Sequence, residues 1–290
     1  MIAHMIRNDR FNQWLSAPLP AWTKRAERAL PRITVSAPDL RGTRRLAAML
    51  VARPLFGLAV FVAAAAEGEW VVAVVSTWLV YGSALTCVHH LIHGSLGLLP
   101  RARHAWLRVI GMLVVESGHA LQVTHLAHHR SDAEAPDPEG YIEYVPWRRL
   151  PAAALAFRYR LMVTGLRMAP AARRRRIVVE IAAHAAAHLV SLALLPFTIV
   201  PWAYLSLIHL ASFGFAVLAG KGPQTNYGRD IPTPLVRVHT GLGRILFFSH
   251  DQHLEHHAAP KVPLPHLRRI RHDIDTALAG RDIFDVRMPL

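Results

Sequence analysis

The chain of 290 residues combines 52% apolar residues with only 18% charged residues and a formal net charge of +14. This composition argues against an ordinary soluble domain, in which about a quarter of the residues are charged, and it favours a membrane protein. The single cysteine, Cys87, excludes an intramolecular disulfide. The basic residues lie between apolar stretches, as in the cytoplasmic flanks of membrane helices, and this pattern does not indicate a nucleic-acid partner.

In chain order, a basic arm over residues 1–45 precedes four long apolar runs. Each run can cross a hydrocarbon core of roughly 30 Å at about 1.5 Å per residue. Short turns at Glu67–Glu69 and Pro196–Pro201 join the runs into two hairpins. The predicted spans are Leu46–Ala66, Trp70–Val88, Ile177–Pro196 and Thr198–Gly220.

The segments between the hairpins predict an interfacial or partly inserted helix within Pro100–Gly118 and a polar, proline-containing loop over Ser131–Arg176. Both hairpin turns lack Lys and Arg, whereas the arm, the loop and the C-terminal segment carry nearly all of them. Because cytoplasmic loops of membrane proteins are enriched in these residues, both termini are predicted to be cytoplasmic.

The expected fold is therefore an all-α integral membrane protein with two transmembrane hairpins and four spans. It is predicted to form one domain over residues 1–290, located in a bacterial inner membrane. Its parts are the arm (1–45), the hairpins with the central cytoplasmic loop (46–220) and a cytoplasmic segment (221–290).

Histidine is abundant, with 19 residues, although it is costly in hydrocarbon. Three clusters stand near the cytoplasmic ends of apolar elements: HxxxH over His89–His93, HxxHH over His125–His129 and HxxHH over His253–His257. On a helix, positions i, i+3 and i+4 share a face, so the histidines of a cluster can converge. Adjacent histidines diverge by about 100°, so such a pair can serve two neighbouring ions. The clusters predict a site for two metals.

Ligand type alone does not choose the metal, since neutral imidazole suits iron, zinc, copper and nickel. The number of histidines exceeds the three protein ligands of a catalytic zinc site, and ferritin-like di-iron proteins use carboxylate ligands instead. Nearby carboxylates could moderate the charge of an all-histidine site from outside its ligand set. The candidates are Asp132, Asp137, Glu139, Asp251 and Glu255.

The three clusters around two hairpins resemble those of the membrane fatty-acid desaturase superfamily, which includes carotenoid ketolases and hydroxylases. The resemblance covers about Cys87–Leu267 and extends to Pro136–Glu139 after the second cluster and to Pro260–Pro263 after the third. It implies a cytoplasmic helical cap that carries a non-haem di-iron centre. By this resemblance the iron ligands, and hence the catalytic residues, are His89, His93, His125, His128, His129, His253, His256 and His257.

Other histidines are less informative. The superfamily often supplies a ninth ligand, for which His250, His239, His209 and Asn226 are the candidates. His184 and His188, four residues apart on the third span, are interpreted as packing or polar-network residues. The isolated His4, His104 and His272 are interpreted as ordinary surface or core residues.

The resemblance implies an oxygen-dependent fatty-acid desaturase with O2 as co-substrate. Its electrons would come from a ferredoxin, a rubredoxin or a small cytochrome, and its substrate would be an acyl-lipid or acyl-carrier chain. A hydroxylase or ketolase that acts on a carotenoid or another terpenoid lipid remains an alternative. A metal or haem carrier is disfavoured, because it would place polar ligands near the middle of several spans.

Overall fold

The computed structural model of the protein describes residues 44–129, 138–221, 236–240, 252–279 and 284–288. The predicted basic arm lies outside these ranges, apart from its last two residues, which begin the first helix. Helices dominate the described residues, as the sequence predicts.

The described helices differ widely in length. The α-helices are α1 (Arg44–Ala66), α2 (Trp70–His93), α3 (Pro100–Leu113), α4 (Gly118–His128), α5 (Leu150–Met168), α6 (Ala171–Leu194), α7 (Val200–Phe215), α8 (His253–Ala258), α9 (Leu264–Leu267) and α10 (Arg271–Ala277). The short 3-10 helices Gly140–Tyr144 and Trp147–Arg149 precede α5, and a π-helical turn, Ala216–Lys221, continues α7. The strands are β1 (Val236–Thr240) and β2 (Phe284–Met288).

Four of these helices, α1, α2, α6 and α7, are long and apolar enough to cross a membrane. They follow the order of the predicted spans, with the last apolar stretch ending at Leu218. Large apolar side chains remain exposed on them, including Phe56 at 72%, Val71 at 78% and Leu189 at 67%. Apolar surface exposed on this scale suits helices that face lipid.

The first hairpin packs α1 closely against α2. Its turn contains Gly68 with φ 77°, a left-handed conformation that glycine adopts without a steric penalty. Buried side chains from several helices then form the main hydrophobic cluster, with Leu50 on α1, Val80 on α2, Leu107 on α3 and Ile208 on α7. This cluster joins the two hairpins into one helical body.

The prediction of a loop over Ser131–Arg176 is wrong for the second half of this segment, which contains α5 and the start of α6. Apolar residues of α5 recur at helical spacing, although the polar and proline residues of this stretch and the basic run Arg173–Arg176 favour a cytoplasmic flank. Arg158 is buried because its guanidinium Nη2 donates hydrogen bonds to the carbonyl oxygens of Val114 and Val115. A tertiary partner therefore overrides the local pattern.

The strands β1 and β2 add a parallel pair that the all-α expectation lacks, with Val236 opposite Phe284 and Thr240 opposite Met288. Both strands alternate apolar and polar residues, the period-2 pattern of a half-buried strand. Next to β1, the short helices α8–α10 gather their own hydrophobic cluster, which includes Leu254, Leu267 and Ile274. The third histidine cluster lies on this substructure.

Helix α4 carries the second histidine cluster and packs closely on α5. Its N-cap residue, Ser117, accepts a hydrogen bond from the backbone N–H of Ala120. A Cβ atom added at Gly165 of α5 would lie 2.8 Å from the Cα, Cβ and carbonyl oxygen of Ala120. Only glycine at this position allows the two helices to approach so closely, and the approach sets the position of α4.

We predict that Gly165→Ala destabilises the protein by about 1–3 kcal/mol, because overpacking against backbone atoms cannot be relieved by a rotamer change. Thermal unfolding of the detergent-purified protein measures the loss. Gly214→Ala is the matched control, since its nearest neighbour is the edge of the Trp78 ring at 3.0 Å. Equal losses in the two variants would show that the α4–α5 approach has no special importance.

Candidate metal centre

Five histidines from three separate parts of the chain converge on one point. Each offers one ring nitrogen, and these five atoms all lie within 4.8 Å of one another. We call this set the five-histidine group; its members are His89 and His93 of α2, His125 and His129 at the end of α4, and His256 of α8. The histidine spacing on each helix predicts this convergence.

The Nε2 atoms of the five-histidine group face one another directly. The Nε2 of His89 lies 2.9 Å from that of His256, and the Nε2 of His93 lies 2.9 Å from that of His125. The Nε2 of His129 is 3.2 Å from that of His125 and 3.0 Å from that of His256. The group therefore presents ring nitrogens, rather than ring carbons, to a common centre.

Helix ends supply these side chains. His93 ends α2 and His89 lies one turn before it; the helix stops at Gly94 with φ 69°, and the left-handed conformation there closes the helix. His125 lies in the last turn of α4, and His129 is the residue that caps it. Because α2 and α4 both end at the five-histidine group, no further helical turns keep their last turns apart.

A second pair borders the five-histidine group. The Nε2 of His128 lies 3.2 Å from the Nε2 of His257, and the His257 ring centroid is 4.6 Å from that of His129. The adjacent histidines of each HxxHH cluster thus divide between the group and the pair. The remaining sequence-predicted ligand, His253, begins α8, but its side chain lies outside the described residues.

The chemistry of this donor set fits transition-metal ions. Burial, together with the neighbouring imidazole of His89, holds the pKa of His256 well below its ordinary value, so this imidazole stays neutral. Neutral imidazole is the form that binds metals, and converging imidazoles suit iron, zinc, copper and nickel. The residues present therefore fit a metal centre.

One of the predicted outer carboxylates supports the group directly. Glu139 Oε2 accepts a hydrogen bond of 2.8 Å from His125 Nδ1. This bond places the proton on Nδ1 and leaves the Nε2 lone pair for the centre. Glu255 forms an ion pair with Arg271, while Asp132, Asp137 and Asp251 lie outside the described residues.

The structure separates one ninth-ligand candidate from the centre. His209 Nε2 lies 2.9 Å from His188 Nε2, and His209 Nδ1 lies 3.0 Å from Arg158 Nη1, so His209 belongs to a network between α5, α6 and α7. His250 and Asn226 lie outside the described residues. His239 is in β1, and its side chain is outside them too.

A further polar cluster, absent from the sequence expectations, connects α3, α4 and α6. His104 Nδ1 lies 3.1 Å from His119 Nε2, and His119 Nδ1 donates to Glu180 Oε1 at 2.5 Å. Ser117 Oγ donates to the second carboxylate oxygen of Glu180 at 2.6 Å. His104 is thus a network residue rather than an isolated one. The sequence carries no signal for it, since Glu180 is 61 residues from His119.

An apolar cavity opens beside the five-histidine group. His89, His125 and His256 are among its lining residues. Most of the other lining residues are apolar, such as Leu85, Phe157, Leu161 and Phe215. Two polar residues that belong to no sequence motif, Tyr81 and Glu116, also line it. An apolar cavity with a few placed polar groups is typical of a small-molecule site.

We predict that Glu139→Gln weakens binding of Fe²⁺ or Co²⁺ by the purified protein about 10–100-fold, because the carboxylate no longer orients His125. Isothermal titration measures the affinity. Glu69→Gln is the control, since Glu69 is exposed in the first hairpin turn. An unchanged affinity in Glu139→Gln would show that this carboxylate plays no part in metal binding.

Comparison with known proteins adds an independent finding. The sequence model described as "Fatty acid desaturase" matches residues 68–285. This range includes all three histidine clusters and three of the four membrane-capable helices in full. A search of curated proteins found no match. Because the match covers most of the chain, the protein belongs to the fatty acid desaturase family.

Proposed function

We propose that the protein is a membrane-bound, oxygen-dependent di-iron desaturase that introduces a double bond into a fatty acyl chain. Family membership supports a desaturase-like or related oxygenase function, and hence an oxidoreductase. The observation that carries the finer proposal is the convergence of the five-histidine group beside an apolar cavity. Such a cavity suits a long apolar chain, and the group lies where that chain would be oxidised.

The five-histidine group would hold one iron or share two with the neighbouring His128–His257 pair, and His253 completes the proposed ligand set. Bound iron would let dioxygen take two electrons from the substrate C–H bonds and two from the donor protein. Glu139 keeps a proton on His125 Nδ1, so that His125 acts through Nε2. Apolar walls such as Phe157 and Leu161 exclude water and hold the chain.

Hydroxylation or ketolation of a terpenoid lipid is the second candidate reaction. The observation that favours it is the position of Tyr81 and Glu116 in the wall of the cavity. A plain hydrocarbon tail makes no use of a carboxyl group there, whereas an oxygenated lipid does. Both candidate reactions use the same metal centre and the same cavity.

A ferredoxin, rubredoxin or small cytochrome would supply the electrons. Exposed basic residues of the C-terminal substructure, Lys261, Arg268 and Arg269, lie close in sequence to the third histidine cluster. Complementary charge steers an acidic carrier to such a surface, and this effect weakens with added salt.

The proposed topology places α1, α2, α6 and α7 across a bacterial inner membrane, with both termini and the metal centre on the cytoplasmic side. The exposed apolar surface of these helices supports insertion. The turn between α1 and α2 and the turn between α6 and α7 would then face the outside of the cell. In this arrangement the chain forms one membrane domain, with α8–α10 as part of a cytoplasmic cap.

We predict that the purified full chain holds two irons and that His128→Ala or His256→Ala abolishes product formation. Each change removes an imidazole from the converging set, so the centre loses a ligand. Iron analysis, together with mass spectrometry of membrane lipids and pigments from cells with and without the protein, measures both effects. His272→Ala is the control, since His272 is exposed on α10.

Two outcomes would overturn the proposal. One is a protein that is fully active with zinc alone, and the other is unchanged product formation in His128→Ala and His256→Ala. A new double bond in the lipid extract would identify a desaturase, whereas a gained oxygen atom would identify the hydroxylase or ketolase.

We predict that cysteines introduced at Glu67 and Phe197 are labelled only from outside the cell, because both hairpin turns face outward in this topology. Glu67 is preferable to Gly68, whose φ of 77° disfavours a side chain. The background is low, since Cys87 is buried. Arg101→Cys, at the start of α3, is the cytoplasmic control. Labelling of Glu67→Cys from the cytoplasm would contradict the topology.

A further inference from the structure

A buried polar pair lies in the wall of the cavity. Tyr81 of α2 is 3% exposed and donates a hydrogen bond of 2.9 Å to Glu116 Oε1, and Glu116 is 4% exposed. Both residues line the cavity that also contains His89, His125 and His256. A carboxyl group is costly to bury in an apolar region, so its presence there calls for an explanation.

The surroundings of Glu116 keep it in place. Burial raises the pKa of Glu116, while the charge of Arg158 and the hydrogen bond from Tyr81 oppose the rise. Arg158 also fixes the preceding backbone through the carbonyls of Val114 and Val115. Val115 has φ 54°, a conformation that is rare for a β-branched residue. Strain of this kind persists only where the surrounding structure enforces it.

A third polar group lies beside the pair. The Ser212 hydroxyl of α7 is buried at 1% exposure. It lies near enough to Glu116 to lower the pKa of this carboxyl group against the effect of burial. The polar set thus offers more hydrogen-bonding capacity than the Tyr81–Glu116 bond consumes.

The position of the pair relative to the metal centre is set by α2. Tyr81 precedes His89 by eight residues on the same helix, which corresponds to about 12 Å along the helix axis. Apolar residues such as Leu85 and Leu161 line the cavity as well. The cavity therefore combines the histidines with a polar group held roughly two helical turns away.

We propose that Tyr81 and Glu116 form a subsite that binds a hydroxyl group of the substrate. The substrate is then a long apolar lipid that carries an alcohol at a distance from the carbon to be oxidised. The alcohol O–H donates a hydrogen bond to Glu116, because a carboxyl group keeps an acceptor oxygen in either protonation state. The hydroxyl thereby fixes which carbon reaches the five-histidine group. This inference rests on the proposed function and adds the class of substrate to it.

We choose two lipids that have a hydroxyl group at the end of a long apolar body: an ω-hydroxy fatty acid and a ring-hydroxylated carotenoid. The test equilibrates the iron-loaded full chain in detergent with an equimolar mixture of each hydroxylated lipid and its unsubstituted parent. Mass spectrometry of the retained lipid gives the ratio bound. We expect a preference for the hydroxylated member of up to about tenfold, since one hydrogen bond in a buried site has this effect on affinity. The arm that shows the preference identifies the lipid.

The double variant Tyr81→Phe/Glu116→Leu removes both partners at once and leaves neither unpaired. Its bound ratio should fall to about one. Tyr204→Phe is the matched control. The lost hydroxyl donates to Leu113 O at 2.8 Å, and Tyr204 is not among the residues that line the cavity. This variant should keep the preference for the hydroxylated lipid. If the double variant fails to fold, Glu116→Gln retains the shape and should lower the ratio, because an NH2 group, which only donates, replaces one of the two oxygens.

The outcomes separate this inference from the proposed function. The hydroxyl subsite is overturned if the wild type binds the hydroxylated lipid and its parent equally, both for the fatty acid and for the carotenoid. An unchanged preference in the double variant overturns it as well. If iron and product are nevertheless found, the proposed function stands. A hydroxyl preference without iron or product would instead retain the subsite and overturn the oxidase.

Discussion

The rest of the structure depends on the close approach of five imidazole nitrogens. Between two Nε2 atoms about 3 Å apart only one proton can be shared, and His125 and His256 each lie this close to two partners, so the contacts cannot all be well-formed hydrogen bonds. A cation at the centre would use these lone pairs as ligands. Burial removes water as an alternative partner and lowers the pKa of His256, which disfavours relief by protonation. The packing of α2, α4 and α8 thus gathers a set of imidazoles that could hold a metal ion.

The parts of the site that could be predicted from the sequence are those encoded locally. His89 with His93, and His125 with His129, are four residues apart, so helix geometry alone brings each pair to one face. The membrane-capable helices are equally local, since length and apolar content define them. Glu139 was recognisable as a candidate because it follows the second cluster closely, although its bond to His125 depends on how the intervening segment folds.

The parts that could not be predicted depend on contacts between distant segments. The burial of Arg158 in α5 is one such feature, because its partners Val114 and Val115 are more than forty residues away. Tyr81 and Glu116 are separated by 35 residues and belong to no motif. The strands β1 and β2 are too short for their alternation to stand out before their pairing is known. Tertiary pairing, rather than propensity, decides all three features.

Arg158 connects the segment before Glu116 with α7 through its hydrogen bonds. Through Nη2 it holds the backbone that leads into Glu116, and through Nη1 it contacts His209 of α7. The same guanidinium therefore fixes the polar wall of the cavity against a membrane-capable helix, while Gly165 on the same helix α5 sets the distance to α4 and its histidines. Helix α5 thus contacts both the helix that carries His125 and His129 and the backbone that leads into Glu116. In the proposed function, a substrate held by both the polar pair and the metal would present one carbon for oxidation, so we expect the spacing that α5 maintains to set the regiochemistry.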